Sequence, residues 1–249
     1  MISVRKVSKR FGSQVVLDQI DLEIEPGKTT AVVGPSGVGK SVLLKLIMGI
    51  LAPEEGEIFV CGKNITRARS EAQKNEIRSI LGVLFQSAAL FDSLTVYENV
   101  AFPLEQRTRL SRREIHQRVI KMLCALSLES HAWNYPEEIS MGMRKRVGMA
   151  RSLVTEPQVL LFDEPNTGLD PVVGQEVYDL IKASRQQWGF TGVVISHELP
   201  EVFQVSDRVA MLLNGKIVQE GTPAEIMHSE NAAVQQFLNG RVNGPIKIQ

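Results

Sequence analysis

Apolar residues recur along this chain with two different periods, and the switch between them divides it. Over the first third the spacing is that of strands: Ile2–Val7, Val15–Ile24 and Thr30–Val33. A turn starts at Gly34, Lys40–Gly49 reads as a helix, and Glu57–Val60 and Gly82–Phe85 read as short strands. Between about Thr95 and Thr155 the spacing becomes helical. Ile115, Val119, Met122, Leu123 and Leu126 share one face of a helix over Ser111–Leu126, whose opposite face is basic. Ser140 is placed to cap a second helix running to Val154. After Pro157 strands return. Val159-Leu160-Leu161-Phe162 is a continuous apolar run between Pro157 and Pro165, the pattern of a parallel strand covered on both faces. Thr191–Ile195 is another, and a helix over Val172–Gln187 makes the three a strand–helix–strand unit. Asp207–Leu213 and Lys216–Gln219, joined at Asn214-Gly215, predict a tight hairpin. The expected architecture is an α/β core in two sequence blocks with a helical insertion. No Pro/Gly linker flanks the insertion, so it is expected to pack on the core.

Composition narrows the function classes. A length of 249 residues suits one large domain or a core with an inserted lobe. Lys+Arg and Asp+Glu are 28 each, so no global field draws the chain to nucleic acid or anionic lipid. No window of about 18 apolar residues predicts a membrane span. Met1-Ile2-Ser3-Val4-Arg5-Lys6 lacks an apolar signal core, so export by the usual route is not expected. Cys61 and Cys124 lack metal-ligand spacing and read as two packed thiols suited to a reducing compartment.

Two motifs carry chemistry. Gly34-Pro35-Ser36-Gly37-Val38-Gly39-Lys40-Ser41 fits G-x-x-x-x-G-K-[ST] between a strand and a helix. Such glycines let backbone N–H groups wrap an anion, and the helix start adds its dipole. Lys40 would reach the β- and γ-phosphates and the Ser41 hydroxyl would bind Mg²⁺. Asp163 and Glu164 end the buried run Val159–Phe162, where the strands of a parallel sheet open onto a ligand crevice. Asp163 can hold Mg²⁺, and Glu164 can orient or deprotonate a water. No N-K-x-D base-reading motif of a GTPase is present.

Ile139-Ser140-Met141-Gly142-Met143 resembles the L-S-G-G-Q/M signature of ATP-binding cassette (ABC) ATPases. The other landmarks of that family stand in order around it. Phe11 resembles the aromatic residue that stacks on adenine, Gln86 the Q-loop, Gly168-Leu169-Asp170 the D-loop and His197 the switch histidine. The resemblance covers nearly the whole chain. It implies a P-loop NTPase fold of ABC type, with a RecA-like core and β subdomain (1–87 and 157–239), a helical signature lobe (88–156) and a C-terminal tail (240–249). It implies ATP and Mg²⁺ as ligands, with Ser41, Gln86 and Asp163 on the metal and Lys40, Glu164 and His197 in hydrolysis. It also implies a head-to-tail pair of copies, Ser140 and Gly142 of one closing over the phosphates held by Gly34–Ser41 of the other. The first signature glycine is Met141 here, which points to slow hydrolysis.

Leu84–Leu104, with its Phe85-Gln86-Ser87-Ala88-Ala89-Leu90-Phe91 core, is similar to the ATPases of Mla-type phospholipid transporters, as are Gly142–Arg146 and the tail Gln236–Ile246. That similarity implies a membrane permease as partner, touching a groove near Gln86–Tyr97 through Phe85, Leu90, Phe91 and Tyr97. Through the permease it implies an MCE-domain lipid-binding protein and a small regulatory subunit. The tail is expected to reach toward a neighbouring ATPase, and the location to be peripheral, on the cytoplasmic face of the cell membrane. Arg144-Lys145-Arg146 reads as a solvated helix face rather than a lipid contact. Alternatives are an importer of polar amino acids or other small solutes, and a non-transport cassette such as one for iron–sulfur assembly. Long coiled coils are excluded, since Ser41 and Ser140 lie 99 residues apart.

Overall fold

The computed structural model describes residues 1–246, so the last three positions of the 240–249 tail lie outside the described residues. The chain divides into two compact units, Met1–Arg78 with Thr191–Gln249, and Ser79–Phe190.

The first unit opens with β1 (Ile2–Phe11), β2 (Gln14–Ile24), β3 (Thr29–Val33), α1 (Lys40–Ile47), β4 (Glu55–Val60), β5 (Lys63–Asn64) and α2 (Glu71–Arg78). The second holds β6 (Leu81–Leu84), α3 (Val96–Arg107), α4 (Arg112–Ala125), α5 (Met141–Leu153), β7 (Val159–Asp163) and α6 (Pro171–Trp188). The first then resumes with β8 (Thr191–Ser196), β9 (Arg208–Leu213), β10 (Lys216–Gly221), α7 (Pro223–Met227) and α8 (Ala232–Leu238).

Within the first unit β2-β1-β4-β5 form an antiparallel sheet, and β10-β9-β3-β8 lie side by side with β3 parallel to both β8 and β9. Every residue of β3 and of β8 is buried, as continuous apolar runs require. β2 instead alternates over its second half, burying Ile20, Leu22 and Ile24 with Asp21 and Glu23 exposed between them. Asn214 and Gly215 both have positive φ, 49° and 74°, the geometry of the tight turn that suits strand twist. Asp18 N–H donates to the Gly215 carbonyl at 2.8 Å, holding that hairpin to β2.

In the second unit β6 and β7 are parallel, in register from Leu81↔Val159 to Leu84↔Phe162. α5 lies on β6 closely enough that a Cβ at Gly148 would sit 2.7 Å from Leu84 Cδ1. α3 and α4 each begin with a full capping box, Thr95 with Glu98 and Ser111 with Glu114. α6 starts at the Asp170 cap with Pro171 at its first position and stops at Gly189, whose φ is 68°.

Several features depart from the sequence pattern. β1 runs on to Phe11 because β2 pairs with it to the turn. The second unit takes in β6, β7 and α6 as well as the helices of 88–156, since α5 packs on β6 and Phe162 lies 6.1 Å from Phe190. The polar α2 buries only Ile77, so it shows no periodicity. α7 and α8 are too short for a period and are marked only by their caps, Thr222 and Asn231. Cys61 is half-buried, but Cys124 is exposed on the polar side of α4, so the expected pair of packed thiols is not found. Lys145, expected on a solvated face, is only 1% exposed. No helix among the described residues is long and apolar enough to cross a membrane.

Candidate functional site

Each unit carries its own set of the expected site residues. In the first, β3 delivers the chain to the loop Gly34–Gly39 and α1 takes it away. The loop is built for backbone, not side chains. A Cβ at Gly34 would fall 2.2 Å from the Leu212 carbonyl oxygen of β9, and one at Gly39 2.9 Å from Val16 Cγ1. Gly34, Gly37 and Gly39 have φ of 150°, 80° and 105°, backbone that L side chains rarely adopt. Gly39 is also the N-cap of α1, so that helix begins with no side-chain oxygen over its first turn. A helix start of this kind is a standing acceptor site for an anion. Pro35 and Val38 are half-buried, Ser36 and Gly37 are exposed, and Ser41 is half-buried in the first turn.

Lys40 is 4% exposed. Its ammonium donates to the carbonyls of Gly34 at 2.8 Å and Pro35 at 2.9 Å, spanning the loop from inside. A buried ammonium needs such partners, and phosphate oxygens can replace them. β3 and β8 end in register, Val33 opposite Ser196, so Gly34 and His197 leave neighbouring strands at one level. The half-buried His197 is thereby brought to the loop's first residue. Phe11 is 48% exposed at the turn end of the β1–β2 hairpin, whose Val16 abuts Gly39, and Lys9 Nζ lies 5.3 Å from its ring. An aromatic face so displayed can stack on a planar base.

The second unit repeats the strand-end device. β6 and β7 end in register, so Phe85 and Gln86 leave beside Asp163 and Glu164. Asp163 closes β7 and is half-buried. Glu164 has φ 48°, a left-handed backbone that turns the chain sharply after the strand. The Thr167 hydroxyl donates to Glu164 Oε2 at 3.3 Å, and the Tyr178 hydroxyl to the buried Asn166 Oδ1 at 3.0 Å, anchoring this turn to α6. Asp170 Oδ1 accepts from the N–H groups of Val172 and Val173, both at 3.1 Å, and so caps α6.

Ser140 caps α5, its Oγ accepting from Met143 N–H at 3.3 Å. Gly142 is the second residue of α5, where a Cβ would be 2.9 Å from Val173 Cγ1. The starts of α5 and α6 are therefore neighbours, which brings Ser140 and Gly142 to the loop carrying Asp170. Met141 projects outward, 48% exposed.

Gln86 itself is exposed, but its backbone is held. Lys145 Nζ donates to the Gln86 carbonyl at 2.5 Å, and burial pulls that ammonium down to about 8. Arg151 donates to the carbonyls of Ala88 at 2.6 Å and Ala89 at 2.7 Å. The sequence reading puts Lys145 on a solvated face and gives Arg151 no role. The available signal was periodicity: Lys145 stands four and seven residues before Met149 and Ser152, both buried, and so shares the inward face of α5. Asn99 was missed as well. Wholly buried, it exchanges hydrogen bonds with both backbone groups of Phe91 and donates to Leu94 and Thr95, fixing the stretch before α3.

Among the described residues no group of three or more His, Cys, Asp or Glu could hold a metal ion alone. The hydroxyl, amide and carboxylate oxygens of Ser41, Gln86 and Asp163 are nevertheless the hard donors that suit Mg²⁺, which commonly shares its shell with phosphates.

A family model described as "ABC transporter" matches residues 17–167, more than half of the chain. The chain belongs to the ABC transporter family. It is an ATP-binding cassette and an ATPase. The cassette is 38% identical over 249 residues to the intermembrane phospholipid transport system ATP-binding protein MlaF of Haemophilus influenzae, covering 100% of this chain and 94% of that protein. It is 39% identical to the MlaF of Escherichia coli strain K12, covering 100% of this chain and 92% of that one. In three dimensions the cassette is similar to MJ0796, described as a dimeric ATP-binding cassette in a post-hydrolysis state with ADP and Pi. The TM-score is 0.80 at 29% sequence identity, over 90% of this chain and 99% of that one.

Proposed function

We propose that this cassette is the ATP-hydrolysing subunit of a membrane transporter of phospholipids. The observation that carries the cargo is the similarity to MlaF proteins, which runs the full length of this chain and nearly the full length of theirs. An aromatic surface in the second unit supports a permease partner: Phe91 is 44% and Trp133 68% exposed, and Trp133 is stacked on Tyr97 with ring centroids 5.0 Å apart. The permease would carry the MCE-domain protein and the regulatory subunit, and hold the cassette peripherally on the cytoplasmic face of the membrane.

On this reading Gly34–Ser41 receive the phosphates of ATP and Phe11 stacks on the base. Lys40 exchanges the carbonyls of Gly34 and Pro35 for β- and γ-phosphate oxygens. Ser41, Gln86 and Asp163 would hold Mg²⁺, which would supply positive charge against the phosphates. Glu164 takes a proton from the water whose oxygen attacks the γ-phosphorus as the bond to ADP breaks, and His197 donates a hydrogen bond to the γ-phosphate. Ser140 and Gly142 offer a second anion-binding helix start, whose match is the nucleotide of another copy, with Asp170 on the facing loop. The dimeric state described for MJ0796 supports a pairing of two copies.

The test is purification from detergent-solubilised membranes. A permease and bound phospholipid are expected with the cassette; recovery of soluble scaffold proteins alone sinks the transporter reading. Glu164→Gln is expected to lower hydrolysis by about 100-fold or more and to elute as a dimer with ATP. A monomer under those conditions removes the pairing from the isolated subunit.

A further inference from the structure

Three of the four carbonyls in residues 86–89 accept hydrogen bonds from two cations on a single helix: Gln86 from Lys145, and Ala88 and Ala89 from Arg151. The bonds cross 59 to 63 residues of sequence, so they are tertiary and not turn chemistry. The segment they hold is strained. Ala88 and Ala89 have φ of 59° and 46°, a left-handed backbone that alanine keeps only where its surroundings over-determine it. The helix comes close because Gly148 lacks a side chain; a Cβ there would meet Ala88 Cβ at 3.1 Å. A buried ammonium is a costly way to fill space, and a methionine would fill it at less cost. The work of Lys145 is therefore the bond it makes.

The same helix begins at Ser140. We propose that Lys145 and Arg151 are positioning residues that splint the 86–89 backbone to α5, so that Gln86 and the Ser140 helix start move as one rigid piece during ATP turnover. The splint makes any push on this loop a displacement of the helix start, with no contact between the two side chains. It rests on the assignment of Gln86 and Ser140 to the nucleotide made above.

The experiment uses the full chain, with the membrane partners it needs for turnover. Lys145→Met is expected to leave ATP affinity unchanged, since the phosphate loop is intact, and to lower kcat about 10-fold to 100-fold. Lys145→Arg, which can still donate to the Gln86 carbonyl, is expected to recover most of it. Independently of turnover, amide hydrogen exchange at residues 86–89 is expected to speed up in Lys145→Met. Arg151→Lys keeps the charge but loses the two-pronged grip; it should show the same exchange signature at Ala88 and Ala89, and guards against a variant that fails to fold. Unchanged exchange in these variants overturns the splint, and so does a loss of kcat that Lys145→Arg does not recover. A wild-type chain that hydrolyses no ATP overturns the functional reading instead, and the exchange arm then decides the splint alone.

Discussion

Two lysines among the described residues are almost fully buried, one in each unit, and they do related work by different means. Lys40, 4% exposed, begins α1 and donates to carbonyls five and six residues away in its own loop. Lys145, 1% exposed, donates to the Gln86 carbonyl 59 residues away. Both tie a loop at a strand end to the helix that carries the lysine. The first tie closes within one motif and has acceptors that a phosphate can replace. The second joins two distant segments, and nothing in the proposed chemistry replaces its acceptor. A local tie can exchange its partner for a ligand and remain a loop; a long-range tie holds the fold around the site.

The largest effects separate the two lysines. Lys40→Met is expected to abolish tight ATP binding and cut hydrolysis by about 100-fold or more, measured by nucleotide titration and steady-state assay. Equal ATP affinity in Lys40→Met and Lys145→Met would erase the distinction between a ligand-facing and a scaffold lysine. Next comes the loop that Lys40 spans. Gly34→Ala drives a Cβ against the Leu212 carbonyl and is expected to cost about 2 kcal/mol or more in chemical denaturation. Gly37→Ala meets nothing within 4 Å and bears only the left-handed backbone, about 1 kcal/mol. Equal costs would mean that packing against β9 does not shape the loop.

The smallest effect contrasts helix starts. α1 starts on Gly39, whereas α3 and α4 start on capping boxes closed by Glu98 and Glu114. Hydrogen bonds from Thr95 and Ser111 hold these two carboxyls below the ordinary carboxylate range. A lowered folded value means that the stabilisation is complete above the unfolded value near 4.5 and is lost as pH falls through the folded ones. Amide exchange followed from pH 7 into acid should therefore show the first turns of α3 and α4 loosening before that of α1. Simultaneous loosening would show that the caps do not set the order.

Much of this molecule is local in origin and readable for that reason. The phosphate loop, the buried runs of β3, β7 and β8, the Asn214-Gly215 turn and the cap at Ser140 each declare themselves within a few residues. Short polar elements such as α2, which buries only Ile77, have no such signature. Site residues followed the same divide. Asp163 and Glu164 are marked by the apolar run before them, whereas His197 stands out only through the family resemblance. Arg144-Lys145-Arg146 reads in sequence as one charged face, yet α5 turns Lys145 inward.

Sequence alone determined the loop proposed here to hold an anion, because glycine backbone freedom and a lysine at a helix start act over a handful of bonds. It also determined which strand ends carry the acids. Tertiary structure decided which of those ends lie level, through the register of Val33 with Ser196 and of Leu84 with Phe162. It decided too that Lys145 and Arg151 hold the backbone around Gln86. A buried cation takes whichever carbonyls the packing of α5 against β6 presents, and no residue within a turn of Lys145 names them.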